Sequence, residues 1–149
     1  MSQSEYAKLV STLPPAILDE LRGRLKKGSR ISFEDREGMV SYIFHQKGME
    51  YATVQTWECD FDCDDRFRVA IKELIPLPSI GQLIEMLGDK FLNLGRTDGE
   101  GIPGGYTFFE VAVSTPFKCW QSTSPQIALL KAWMYTQGFE YKEGKWSKK

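Results

Sequence analysis

The sequence is poor in the residues that carry most protein chemistry. It has one histidine, His45, and three cysteines, Cys59, Cys63 and Cys119, so a metal cage of soft ligands would have to recruit nearly all of them. The odd cysteine count fits reduced thiols rather than a paired disulfide framework. No long apolar run is present, so no stretch reaches the length of a membrane span. The N-terminus, MSQSEYAKLV, lacks the basic start and apolar stretch of a secretory signal. Nor is there an excess of charge of either sign. With 19 basic and 20 acidic residues, the chain has no global field to hold a nucleic-acid backbone or an anionic membrane. These absences read as a soluble cytoplasmic protein with no membrane contact.

What is present suits a folded core. Hydrophobic residues are 42% of the 149 and aromatics 13%, enough for one domain or two small ones. The first helical pattern lies near Pro15–Lys27. Ile17, Leu18, Leu21 and Leu25 form its apolar stripe, the prolines suit its first turn, and Gly28 is placed to stop it. The preceding SEYAKLVSTL has room for a separate short helix. Residues 29–38 read as a loop. Met39–Gln46, Glu50–Phe61 and Arg66–Glu73 then read as a three-stranded meander, with a hairpin turn at Lys47-Gly48-Met49.

The prolines of IPLPS (75–79) mark the best internal boundary. Ser79 and Gln82 fit a capping box for a helix carrying Ile80, Leu83, Ile84 and Leu87. Strands are expected near Phe91–Leu94, Tyr106–Ser114 and Phe117–Ser122. Ser124 and Pro125 open a last helix that Gly138 closes. That helix is apolar nearly all round, which requires burial on more than one side. The tail EYKEGKWSKK is basic and is expected to be mobile beyond Trp146.

The stretch TWECDFDCDD (56–65) concentrates acids and cysteines. Read as a strand, it places Trp57, Cys59, Phe61 and Cys63 on one face and Glu58, Asp60, Asp62 and Asp64 on the other. At about 3.3 Å per residue the two cysteines stand roughly 13 Å apart, too far for a disulfide or a shared zinc. A calcium loop starting at Asp60 would need glycine at its sixth position and glutamate at its twelfth, where Asp65 and Ile71 stand. What remains is an acidic strip. It is either a solvated, charge-protected strand face or a contact surface for a basic partner.

The loop from Gly95 to Gly105 lacks the order of a P-loop or dinucleotide fingerprint, and its Asp98 and Glu100 would repel phosphate. It reads as a flexible connection. Trp57, Trp120 and Trp133 are most simply core. Trp146, in the basic tail, could anchor a partner. A small enzyme would have to use His45 with a cysteine, and no motif supports that pairing.

Residues 79–137 resemble the double-stranded RNA-binding domain in their order of helix, three strands and helix. Such domains carry a lysine cluster where the last helix begins, and here SPQIALLK holds one lysine, Lys131. Over residues 76–139 five acids face four bases, a poor balance for RNA. The segments LPSIGQLIEMLGDKF and STSPQIALLKAWMYTQG resemble small phage and prophage accessory proteins with an α-β-β-α unit and a Ser/Thr-Pro pair opening the last helix. The likeness covers the second half of the chain, rests on capping and core residues, and implies an accessory role with no catalytic residues to carry over.

The expected fold is α+β, with antiparallel strands packed against two or three helices. Residues 1–75 form the N-terminal helix and meander, and residues 76–149 an α-β-β(-β)-α unit with a basic tail, either as two lobes or as one compact domain. The expected function is a non-enzymatic interaction protein with no cofactor and no metal. It would contact a protein partner through Glu58, Asp60, Asp62, Asp64 and Trp146. The alternative is a nucleic-acid-associated module using the tail with Arg66 and Arg68.

Overall fold

A computed structural model describes residues 4–34, 36–56, 66–98, 107–114 and 117–149. The chain divides into two units, Met1–Pro78 and Ser79–Lys149.

The first unit holds helices α1 (Glu5–Ser11) and α2 (Pro15–Gly23). Strands β1 (Arg30–Phe33), β2 (Arg36–Gln46), β3 (Met49–Thr56), β4 (Arg66–Ala70) and β5 (Ile75–Pro76) follow. They form one antiparallel sheet in the order β4-β3-β2-β1-β5. The side chain of Ser4 caps α1 by accepting from the Ala7 N–H. Both helices pack against β5. The Tyr6 hydroxyl donates to the Pro78 carbonyl at 2.7 Å, tying α1 to the last residue of the unit. The sheet core is Ile31, Val40, Ala52, Val54, Val69, Ile71 and Leu74, with Leu25, Phe33 and Ile43 packed against it.

Two expectations for this unit change. Helix α2 ends at Gly23, not near Gly28. A helical glycine costs about 1 kcal/mol relative to alanine. Beyond it the backbone is drawn into pairing with β2: Gly28 N–H donates to Val40, and Val40 N–H donates to Ser29. Residues 29–38 are not a loop but β1 and the start of β2. Their turn puts Glu34 at a φ of 48°, so it lacks the glycine that would have announced it. The next turn does carry the signal. Gln46 pairs with Met49, and the two residues between them, Lys47 and Gly48, have φ of 51° and 77°, as a mirror-image hairpin turn requires. The meander of β2, β3 and β4 follows in the expected order, but β4 ends at Ala70 and Ile71–Glu73 form a short 3-10 helix, while residues 57–61 of the expected second strand lie outside the described residues.

The second unit runs α3 (Ile80–Leu87), β6 (Phe91–Asp98), β7 (Thr107–Val113), β8 (Lys118–Ser122), α4 (Pro125–Thr136), β9 (Phe139–Lys142) and β10 (Lys145–Lys148). The capping box at Ser79 and Gln82 is formed in both directions. Ser124 caps α4 by accepting from the Ile127 N–H, and Pro125 fills the first turn. Ala128, Leu129, Leu130, Ala132, Trp133 and Met134 are all buried, because α4 packs against α3, β7, β8 and β9.

The basic tail is not loose beyond Trp146. Phe139–Lys142 and Lys145–Lys148 form an antiparallel hairpin, and the Lys149 N–H donates to Gly138. Glu143 and Gly144, at φ of 51° and 77°, repeat the turn seen at Lys47-Gly48. The fold is α+β with antiparallel sheets. Its helices number four among the described residues rather than two or three, because α1 is separate from α2.

Candidate interaction surface

Cross-strand pairing sorts β2, β3 and β4 into two faces. Ile43, Ala52 and Val69 stand in one row and point to the core. The flanking rows, Tyr42–Thr53–Arg68 and Phe44–Tyr51–Ala70, lie on the opposite face. The alternation depends on one irregularity. The register shifts between Val40 and Tyr42, so Ser41 is an extra residue on β2. Without that bulge Tyr42 would share the buried face of Val40. With it, Tyr42 turns outward and Ile43 inward.

The outer rows carry a line of aromatic rings. Tyr42 and Phe44 are stacked with centroids 5.9 Å apart and planes 18° from parallel. Phe44 and Tyr51 continue the line at 5.7 Å and 22°. The Arg68 guanidinium lies 4.7 Å from the Tyr51 centroid and 5.1 Å from that of Phe44. The Tyr51 hydroxyl donates to the Met49 sulfur at 3.7 Å. Tyr42 is 63% exposed and Met49 38%, so the line opens to solvent. Tyrosine, phenylalanine, methionine and arginine are the side chains enriched where proteins meet. Here stacking already limits the rotamers of the rings and of Arg68, which lowers the entropy cost of a further contact.

The residues singled out by sequence fare differently. Glu58, Asp60, Asp62 and Asp64, with Trp57, Cys59 and Cys63, lie outside the described residues. Trp146 is half-buried in the terminal hairpin and packs on Tyr141 with centroids 4.9 Å apart. Arg68 joins the aromatic line, while Arg66 pairs with Gln55 through the backbone. Trp133 is core at 1% exposure, but Trp120 is only half-buried, edge-on to Tyr135 at 5.2 Å. His45 and Cys119 fall in different units. His45 is largely exposed and stands 3.6 Å from Glu50, and Cys119 is exposed on β8.

Among the described residues no three of His, Cys, Asp or Glu come together as a metal-holding group. An open depression in the first unit is lined in part by Asp19, Arg22, Met49, Glu50 and Lys72. Its arginine is already committed, to Asp19 at 3.0 Å and to the Leu74 carbonyl at 2.9 Å. No helix among the described residues is long and apolar enough to cross a membrane. No family model, curated protein or solved structure matches the sequence.

Tyr42, Phe44 and Tyr51 were not singled out as site residues from the sequence. A signal for two of them was present. Once Lys47-Gly48 is a two-residue turn, Phe44 must stand opposite Tyr51. The outward turn of Tyr42 depends on the bulge, which no sequence pattern announces.

Proposed function

We propose that the chain is a non-enzymatic interaction protein and that the outer face of β2, β3 and β4 receives its protein partner. The observation that carries this reading is the aromatic line capped by Arg68 on an exposed sheet face. Arg68 holds the one charge in the two outer rows. The fitting partner therefore presents apolar or aromatic side chains around a carboxylate, which would meet the guanidinium at short range. An accessory role of the phage kind, which the likeness of the second half implies, is compatible with such a contact. The acidic residues Glu58, Asp60, Asp62 and Asp64 are proposed as a second contact, for basic groups at the edge of the same partner.

Truncation tests the reading. Tyr42→Ala combined with Arg68→Ala should weaken the partner complex at least about 30-fold, as central interface residues do. The fold should be retained, since both side chains stand on the solvent side. Undiminished binding by the double variant would remove this face from the function.

A further inference from the structure

Arg68 on the first unit and Glu85 on the second are opposite charges, and among the described residues neither has an ion-pair partner. Glu85 lies on α3, a helix with two unlike sides. Leu83 and Leu87 are buried, and the helix packs against α4. Helical spacing stacks Ile84 over Ile80, and Glu85 over Gly81 on the side next to them. Ile80 is 36% exposed, Ile84 is half-buried, and Gly81 and Glu85 are exposed. Gly81 is the unexpected residue in this set. A glycine within a helix costs stability relative to alanine. Among the described residues nothing lies within 4 Å of a Cβ built at Gly81. Packing inside the chain therefore gives no reason for its bareness, whereas a side chain seated on α3 from outside would.

We infer that the protein partner is a second copy of this chain, whose α3 seats on the outer face of β2, β3 and β4. The inference rests on the reading that this face receives a partner, and it names the occupant. The face calls for apolar side chains around a carboxylate, and Ile80, Ile84 and Glu85 present that set. Arg68 would meet Glu85 in a charge-assisted pair. The rings of Tyr42, Phe44 and Tyr51 would cover the isoleucines and the open backbone at Gly81. The spacings agree. Successive rings stand 5.9 and 5.7 Å apart, and a helix repeats every turn of about 5.4 Å. The two surfaces are different patches of one chain, so copies join through unlike faces. They either close reciprocally as a pair or continue as a row of copies. An unrelated partner on the aromatic face would leave Gly81 and the open Glu85 without a role.

The test is sedimentation equilibrium of the purified full chain at concentrations up to about 100 µM, where the chain should be heavier than a monomer. Arg68→Glu and Glu85→Arg should each weaken self-association at least about tenfold, because each sets like charges together. Mixed in equal amounts, the two variants should associate as the parent does, since each offers the charge that the other lacks. Gly81→Gln should also weaken self-association, by about tenfold, because its side chain fills the seat. The free chain has room for that side chain, so the thermal midpoint should not fall. A chain that stays monomeric, or a mixture that associates no better than either variant alone, overturns the inference. If the chain is monomeric and Tyr42→Ala/Arg68→Ala loses a different protein, the second copy is excluded and the reading of the face stands. Self-association weakened by Arg68→Glu but not by Glu85→Arg would keep the face and exclude α3 as its occupant. Self-association untouched by either variant would overturn the inference by placing the contact elsewhere.

Discussion

Phe44 and Tyr51 stand directly opposite each other on β2 and β3, with ring centroids 5.7 Å apart, and Arg68 lies against both. This arrangement contributes to stability and also displays the rings. A directly opposed aromatic pair is worth about 0.5–1 kcal/mol in a sheet.

The two uses separate by position along the line. Phe44→Ala should lower the free energy of unfolding by about 1 kcal/mol or more, because it removes contacts to Tyr42, Tyr51 and Arg68 together. Tyr42→Ala, at the exposed end, should cost less than about 0.5 kcal/mol. Urea unfolding of the two variants checks the order. Equal losses would mean that Tyr42 is held as firmly as Phe44.

Much of the fold could be read before the structure. The helices α3 and α4 announce themselves through Ser79, Gln82, Ser124 and Pro125, because a cap is a local hydrogen bond that needs its residue type at a fixed offset. The pairing of Phe44 with Tyr51 follows from the turn at Lys47-Gly48. The strand β1 was not legible, since its turn uses Glu34 at positive φ without glycine. Nor was the outward turn of Tyr42, because inserting one residue exchanges the two faces of a strand and the cause lies in how β2 meets β3. The terminal hairpin was missed because its lysines suggest a solvated tail. Its order comes from the Glu143-Gly144 turn and from Tyr141 meeting Trp146 across the strands.

Tyr6 is a structural tie whose loss can be measured. Tyr6→Phe removes the hydroxyl that donates to Pro78 and leaves that carbonyl without the bond, at a cost of about 1–2 kcal/mol. Burial holds the Tyr6 phenol well above its ordinary range. A folded-state value above the unfolded one means that this contribution is complete below about pH 10 and is lost as pH rises further, when the unfolded chain's tyrosine ionises. The parent should therefore lose more stability than Tyr6→Phe between neutral pH and pH 11. Parallel losses in the two proteins would contradict the assignment.

Glu140 makes the opposite prediction in acid. Hydrogen bonds from Lys142 and Lys118 hold its carboxyl below the usual carboxylate value. A lowered folded-state value means that the contribution is present above the unfolded pKa near 4.5 and is lost as pH falls through the folded one. In Glu140→Gln this part of the acid dependence should vanish. Guanidinium unfolding from pH 6 to pH 2, followed for the parent and the variant, measures the difference, and identical pH profiles would exclude the ion pairs as a source of stability.

The turn at Gly144 should hold the hairpin in place. At φ of 77° a side chain is strained, so Gly144→Val should cost about 1–2 kcal/mol and loosen β9 from β10. The Tyr141–Trp146 contact would open with it. A tryptophan emission shift to longer wavelength, with the thermal midpoint lowered, is the expected result. Unchanged emission would show that the hairpin does not depend on this turn.

The most direct test of the interaction reading places a photo-reactive phenylalanine analogue at position 42 of the full chain, with a control at Gln121 on β8. Ultraviolet light in living cells should join position 42 to one protein partner. Arg68→Glu should abolish the adduct by reversing the one charge in the outer rows, and position 121 should give none. An adduct that persists in Arg68→Glu, or that forms equally at position 121, would contradict the account that β2, β3 and β4 present the partner-binding face.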